Sequence, residues 1–116
     1  MENLLDWTEE LKLSDKLVIV EGEKDEDALH FLGVKNVRSI SRKPLFEFVE
    51  SVAEKEVVIL TDLDSEGRKL YSFLKRELSK RGKIIDNKFR EFLFSETGLS
   101  CIEVLETYMK NHNIVL

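Results

Sequence analysis

The 116-residue sequence has one cysteine, Cys101, one proline, five glycines and no glutamine. A single thiol cannot close an internal disulfide, and with only His30 and His112 beside it there is no Cys/His set for a structural zinc site. No apolar run approaches the ~18 residues of a membrane-spanning helix. The opening residues Met1 to Trp7 carry Glu2 and Asp6 without a basic stretch, which argues against a secretory leader. The expectation is a soluble, cytoplasmic protein with no membrane partner. No Pro/Gly/Ser-rich linker divides the chain, so a single domain over 1–116 is expected, burying roughly two-thirds of its unfolded surface. The missing glutamine and a charged fraction of 35% fit a heat-adapted, thermophile source rich in surface ion pairs.

Charge is what the sequence has in abundance, and it is unevenly placed. A net charge of -5 argues against a nucleic-acid partner for the chain as a whole. From Arg68 to Arg90, however, nine Lys/Arg stand against two acids, a net of +7, so the remainder sums to -12. That partition suggests one face for a polyanion and another loaded with carboxylates. The plainer alternative is a solvated basic helix whose charges pair with their own neighbours.

Short apolar runs alternate with amphipathic stretches. Leu4, Trp7 and Leu11 mark a first helix ending near Ser14 and Asp15. Leu17 to Val20 and Val57 to Leu60 are wholly apolar runs of the kind buried on both faces of a parallel sheet. Between them come a helix with Ala28, Leu29 and Leu32 before Gly33, a strand from Val34 to Ile40, and a helix opened by Pro44. That last helix carries Leu45, Phe48, Val49, Val52 and Ala53 at helical spacing. After Gly67 a helix turns Leu70, Phe73, Leu74 and Leu78 inward and Lys69, Ser72, Lys75, Arg76 and Lys80 outward, ending at Gly82. Lys83 to Asp86 reads as a fourth strand, and Asn87 to Gly98 fits neither pattern cleanly. Ser100 with Glu103 forms a capping box for a final helix through Met109. The fold expected is α/β and Rossmann-like, a parallel four-stranded sheet between helices with right-handed crossovers.

Two buried strands deliver acids as they end: Glu21-Gly22 after the first, and Asp62-Leu63-Asp64-Ser65-Glu66-Gly67 after the third. In an open parallel sheet both groups emerge at the carboxyl edge, where such folds bind ligands. If the chain stays extended from Asp62 to Asp64, both carboxylates share one side with Cα atoms ~6.5 Å apart. Crowded carboxylates stay ionised near neutral pH only with a compensating cation. Magnesium, which takes a few carboxylates and completes its shell with water and phosphate oxygens, is the natural candidate, with manganese a possible substitute. Gly22 and Gly67 would let a backbone or phosphate approach closely. The plain alternative is that these acids are solvated, or cap helices, as Asp64 or Ser65 could do.

At these residues the sequence resembles a known family. Val18-Ile19-Val20-Glu21-Gly22-Glu23-Lys24-Asp25, followed after one βα unit by Ile59-Leu60-Thr61-Asp62-Leu63-Asp64-Ser65-Glu66-Gly67, is similar to the Toprim domain. That domain is shared by type IA and type II topoisomerases, bacterial primases, OLD-family nucleases and the small nucleases that mature 5S ribosomal RNA. The resemblance covers roughly residues 14 to 95. It implies the Toprim fold, Glu21 as general acid/base and Asp62 and Asp64 as magnesium ligands. Glu66 matches the third acid of the type IA topoisomerase pattern, and Asp25 an acid that follows the E-G pair in primases and the ribosomal-RNA nucleases, which makes both candidate metal residues beside Asp62 and Asp64. Primases use further acids downstream, and no comparable pair is found in this sequence. Tyr71 and Tyr108 read as packing residues rather than topoisomerase nucleophiles.

The function expected is a magnesium-dependent nuclease that hydrolyses phosphodiester bonds in RNA processing, with RNA favoured over DNA as partner. Crowding should raise the Glu21 pKa and supply a proton for a leaving oxygen. Lys24, Arg42, Lys43, Arg68, Lys69, Lys75 and Arg76 are the candidate contacts to the phosphate backbone. One alternative is a non-catalytic module that recruits nucleic acid or protein partners into a larger complex. Another is a haloacid-dehalogenase-type phosphatase, whose D-x-D also follows an apolar strand, although usually the first. Trp7 reads as core, His30 as helix surface and Cys101 as a small buried apolar group. Phe46, Phe89, Phe92 and Phe94 read as packing rather than a base-stacking platform.

Overall fold

The structure, a computed structural model, describes residues 1–115. Strands β1 (Leu17–Val20), β2 (Val37–Ser39), β3 (Glu56–Ile59) and β4 (Ile84–Ile85) form one parallel sheet in the order β2-β1-β3-β4. The helices are α1 (Leu4–Leu13), α2 (Glu23–Phe31), α3 (Leu45–Ser51), α4 (Ser65–Lys80), α5 (Lys88–Thr97) and α6 (Leu105–Asn111). This is the α/β, Rossmann-like arrangement expected, a four-stranded parallel sheet between helices.

Alternate side chains of a strand point to opposite faces, and β1 and β3 are covered on both, which is why each reads as an unbroken apolar run. Val18, Val20, Val58 and Leu60 pack with Trp7, Leu29, Phe89, Leu93 and Leu105 from α1, α2, α5 and α6. Leu17, Ile19, Val57 and Ile59 pack instead with Phe48 and Val49 of α3 and Leu74 and Leu78 of α4. Trp7 is fully buried, and its Nε1–H donates to the Phe89 carbonyl at 2.8 Å, tying α1 to α5. The chain runs outward from β1 to β2, then returns to lay β3 on the other side of β1. The strand order therefore reverses at β1 and β3, whose carboxyl ends form the topological switch point.

Several boundaries differ from the expectation. The second strand spans three residues rather than Val34 to Ile40. Val34 belongs to the turn closing α2, its N–H bonded to the Leu29 carbonyl at 3.0 Å, and Ile40 opens a 3-10 turn through Arg42. Helix α3 stops at Ser51, leaving Val52 as its buried C-cap and Ala53 exposed beyond it. The stretch 87–98, whose sequence fits neither pattern cleanly, contains α5, which Gly98 terminates at φ 69°, the left-handed conformation that glycine adopts without strain. Ser100 does not cap the last helix, which starts at Leu105. The Ser100 carbonyl accepts the Leu63 N–H at 2.8 Å and Ile102 is fully buried, so this loop packs onto the β3–α4 turn instead.

Candidate functional site

Because β1 and β3 are paired neighbours, the residues that follow them leave the sheet side by side. The Leu60 N–H continues the ladder to the Ile19 carbonyl at 2.8 Å. Two residues on, the Asp62 N–H donates to Glu21 Oε2 at 2.5 Å, joining positions 41 residues apart. Asp62 turns its own carboxylate into a partly buried position where Oδ1 has no hydrogen-bond partner. Burial first, and then the charges of Glu21, Asp25, Asp64 and Glu103, push the Asp62 carboxyl up to about 6. Glu21 is also raised, by burial against the Asp62 N–H, with Asp64, Asp25 and Glu66 adding to it. The expected direction for Glu21 is found, with burial rather than neighbouring charge as its first cause.

The remaining acids reach this rim by different local routes. Asp64 does not continue a strand from Asp62, because β3 ends at Ile59. It is the N-cap of α4, with Oδ1 accepting the Gly67 N–H at 2.7 Å, so the shared-side placement expected of an extended chain is replaced by a turn. Asp25 is buried in the first turn of α2, where Oδ2 accepts the Gly22 N–H at 3.1 Å, and burial raises its pKa. Glu66 is exposed in the first turn of α4. The sequence marks Glu103 only as a capping residue, yet its charge acts on Asp25, Asp62 and Cys101. Cys101 is half-buried rather than fully so, and burial pushes its thiol up, with the Asp62 charge adding to the shift.

A Cβ on Gly67 would lie 2.1 Å from the Asp62 carbonyl oxygen, whereas one on Gly22 would meet only Asp25 Oδ2, at 4.0 Å. The close approach that Gly67 permits is thus to the chain's own backbone. Among the described residues no three His, Cys, Asp or Glu side chains form a ready metal-holding group. At this rim the buried Asp62 Oδ1 is left without a hydrogen-bond partner.

Arg90 has a role the sequence did not reveal. It is 8% exposed and reaches from α5 beneath the end of β3, where Nη1 donates to the carbonyls of Thr61 at 2.5 Å and Ile59 at 3.3 Å. Nη2 lies 3.4 Å from the Asp62 carbonyl. The guanidinium carbon lies over the rings of Tyr71, 4.6 Å from its centre, and Phe94, at 5.2 Å. Burial lowers its pKa, against the pull of Tyr71, Glu21 and Asp62. In the sequence Arg90 is one of nine basic residues in a run, with nothing to mark it as internal. Ser39 is likewise unmarked, yet its hydroxyl donates to the Glu21 carbonyl at 3.1 Å and its N–H to Glu26 Oε1 at 2.6 Å.

The candidate phosphate contacts divide into two groups. Arg42 has its fork on buried Glu26, at 2.9 and 2.7 Å, and a further carboxylate, Glu23, at 3.6 Å. Arg76 shares Glu77 with Lys80 and Arg81, at 3.4, 3.1 and 3.6 Å. Lys24 lies 4.0 Å from Glu103, both side chains exposed. Lys43, Arg68, Lys69 and Lys75 are exposed and make no ion pair among the described residues, although Lys75 sits 5.9 Å from the Tyr71 ring centre.

No protein-family model matches the chain. A UPF0292 protein of Methanocaldococcus jannaschii is 35% identical over 116 residues, an alignment covering 93% of this chain and 91% of that protein. The chain belongs to the UPF0292 family. A second UPF0292 relative, from Methanosarcina barkeri, is 34% identical over 94% of this chain and 80% of its own length. A protein of Bacillus subtilis, YusF, is 26% identical over 100% of the chain. The UPF0292 fold also matches a solved structure of an Aquifex aeolicus protein with a TM-score of 0.83 and 31% identity, covering 90% of this chain and 100% of that one.

Proposed function

We propose that this UPF0292 chain is a Toprim-type, magnesium-dependent phosphodiesterase acting on nucleic acid, with RNA the favoured substrate. The observation that carries the reading is the contact of Glu21 Oε2 with the Asp62 N–H at the β1/β3 switch point, which brings the E-G and D-x-D segments together. Asp62, through its orphaned Oδ1, and Asp64 would hold the magnesium ion, with Asp25 and Glu66 adding negative charge around it. Bound there, the ion would offset the charge that builds on the phosphate oxygens during hydrolysis.

Glu21 is the proton carrier. Its Oε2 is fixed by the Asp62 N–H, which leaves Oε1 for the reaction. As the P–O bond to the leaving oxygen breaks, Glu21 passes a proton to that oxygen. Water forms the new bond to phosphorus, and the proton it loses restores Glu21. Arg90 keeps the Thr61 and Asp62 carbonyls in place from below. Lys43, Arg68, Lys69 and Lys75 supply the exposed positive charge for the polyanion backbone.

A second reading, the non-catalytic recruiting module, draws on the capping roles of Asp25 and Asp64, which give each acid a purely structural use. Incubation of the purified protein with structured RNA and with DNA, with and without magnesium, separates the two. Cleavage that requires magnesium and disappears in both Glu21→Gln and the Asp62→Asn/Asp64→Asn double variant is the expected result. Salt-sensitive binding with no cleavage would favour recruitment, and cleavage persisting in the double variant would overturn the assignment.

A further inference from the structure

A cleft of about 240 Å³ opens between α4 and α5, lined by Leu63, Tyr71, Asn87, Arg90, Glu91 and Phe94. We propose that it is a subsite for an unpaired nucleobase next to the phosphate held at the acid cluster. The phosphate's place rests on the phosphodiesterase reading, whereas the base's place rests on the cleft alone.

Position is the first argument. Leu63 directly follows Asp62, and Arg90 at the buried end of the cleft bonds the Thr61 and Asp62 carbonyls, so the cleft begins where the acid site ends. Size is the second. The cleft is smaller than the ~300–1,000 Å³ of pockets that take drug-sized ligands, which suits one planar ring system rather than a larger cofactor.

Chemistry is the third. Tyr71 and Phe94, with ring centres 4.6 and 5.2 Å from the Arg90 guanidinium carbon, line the cleft with it, and aromatic rings and guanidinium planes are the surfaces on which unpaired bases stack. The polar groups sit nearer solvent. The Tyr71 hydroxyl and Asn87 Oδ1 are 2.5 Å apart, which leaves the Asn87 amide N–H groups to donate. Glu91 is exposed, with no ion pair among the described residues, and can accept from an exocyclic amine. An anion is the poorer occupant, because the Arg90 Nη donors are engaged by backbone carbonyls and Glu91 would repel it. A base inside a duplex cannot enter such a cleft, so the substrate class is single-stranded or looped nucleic acid.

The test is a titration of metal-free, ¹⁵N-labelled protein with each of the four ribonucleoside 5′-monophosphates, and with inorganic phosphate as control, followed by NMR. Saturable shifts of the Leu63 amide, the Asn87 side-chain amide and Arg90 Nε–H are expected with nucleotides and not with phosphate. Tyr71→Leu should weaken the binding at least about fivefold, the scale of one lost stacking contact. Glu91→Gln, at an exposed position that leaves the fold intact, should narrow the preference for amine-bearing bases over uracil. Equal shifts with phosphate alone, or no saturable shift at millimolar nucleotide, would overturn the proposal. Cleft shifts in a protein that cleaves nothing would leave the subsite standing and remove the hydrolase reading. Cleavage without cleft shifts would do the reverse.

Discussion

At position 67 the fold has room for a hydrogen and nothing more. An added Cβ would meet the Asp62 carbonyl oxygen, carbon and nitrogen at 2.1, 2.6 and 2.8 Å, all backbone atoms that cannot swing aside as a side chain would. Gly67→Ala should therefore cost about 1–3 kcal/mol or more and displace Asp62. A lowered melting temperature together with a shifted Asp62 amide resonance would register both effects. Gly22→Ala, whose Cβ enters nearly open space, should change neither by much. Glu26 gives a pH signature. The Arg42 guanidinium holds its carboxyl below the usual carboxylate range, helped by the Ser39 N–H and opposed by burial. The native state then binds fewer protons than the unfolded chain near its ordinary pKa of about 4.3. That stability is present above this pH and is lost as pH falls through the lower, native value. Wild type should accordingly lose more stability than Glu26→Gln between about pH 5 and pH 3 in denaturant melts. Parallel curves would show that the pair contributes nothing.

Among the elements, α5 shows why part of the site was hidden in the sequence. Its buried residues are Phe89, Arg90, Leu93 and Phe94, so a charged side chain occupies a position where helical periodicity calls for an apolar one. Arg90 is accepted there because carbonyls at the end of β3 take its donors and the Tyr71 and Phe94 rings lie close to its guanidinium. Arg90→Lys replaces a planar fork with a single ammonium that cannot reach the same carbonyls together. It should cost on the order of 1–3 kcal/mol, and amide exchange at Asp62 and Leu63 should accelerate more than exchange in β1. By contrast β1 and β3 were legible, because burial on both faces leaves no ambiguity of pattern. Val34 misled because its apolar side chain enters the core from a turn rather than a strand. Ser100 and Glu103 misled because a capping pattern says nothing about the neighbouring Ile102, whose burial sets the path of that loop.

Over the whole molecule, charge separation and topology act together. Glu21, Asp25, Asp62, Asp64 and Glu66 were legible as a group because strand order in a parallel sheet dictates a common edge. Glu103, whose charge acts on Asp62 and Asp25, was not. The +7 of the segment from Arg68 to Arg90 is less available than it looks, since Glu77 gathers three of its cations and Arg90 is internal. Without divalent ions at pH 8, the burial of the ionised Asp62 carboxylate, and then repulsion from the neighbouring acids, works against folding. Asp62→Asn, which loses no hydrogen bond at Oδ1, should then be more stable than wild type by on the order of 1 kcal/mol. Magnesium should reverse that ranking by stabilising the wild type alone. Melting temperatures of the two proteins with EDTA and with millimolar magnesium would check the crossover.

The most direct measurement is paramagnetic broadening of the amide spectrum by substoichiometric Mn²⁺, which maps an ion bound in place of magnesium. Convergence of the two strand ends requires Gly22, Asp62, Leu63 and Asp64 to broaden together, at the same Mn²⁺ concentration, and to be spared in Asp62→Asn. Broadening scattered over exposed carboxylates, or confined to one strand end and unaffected by Asp62→Asn, would contradict a shared divalent-ion site between β1 and β3.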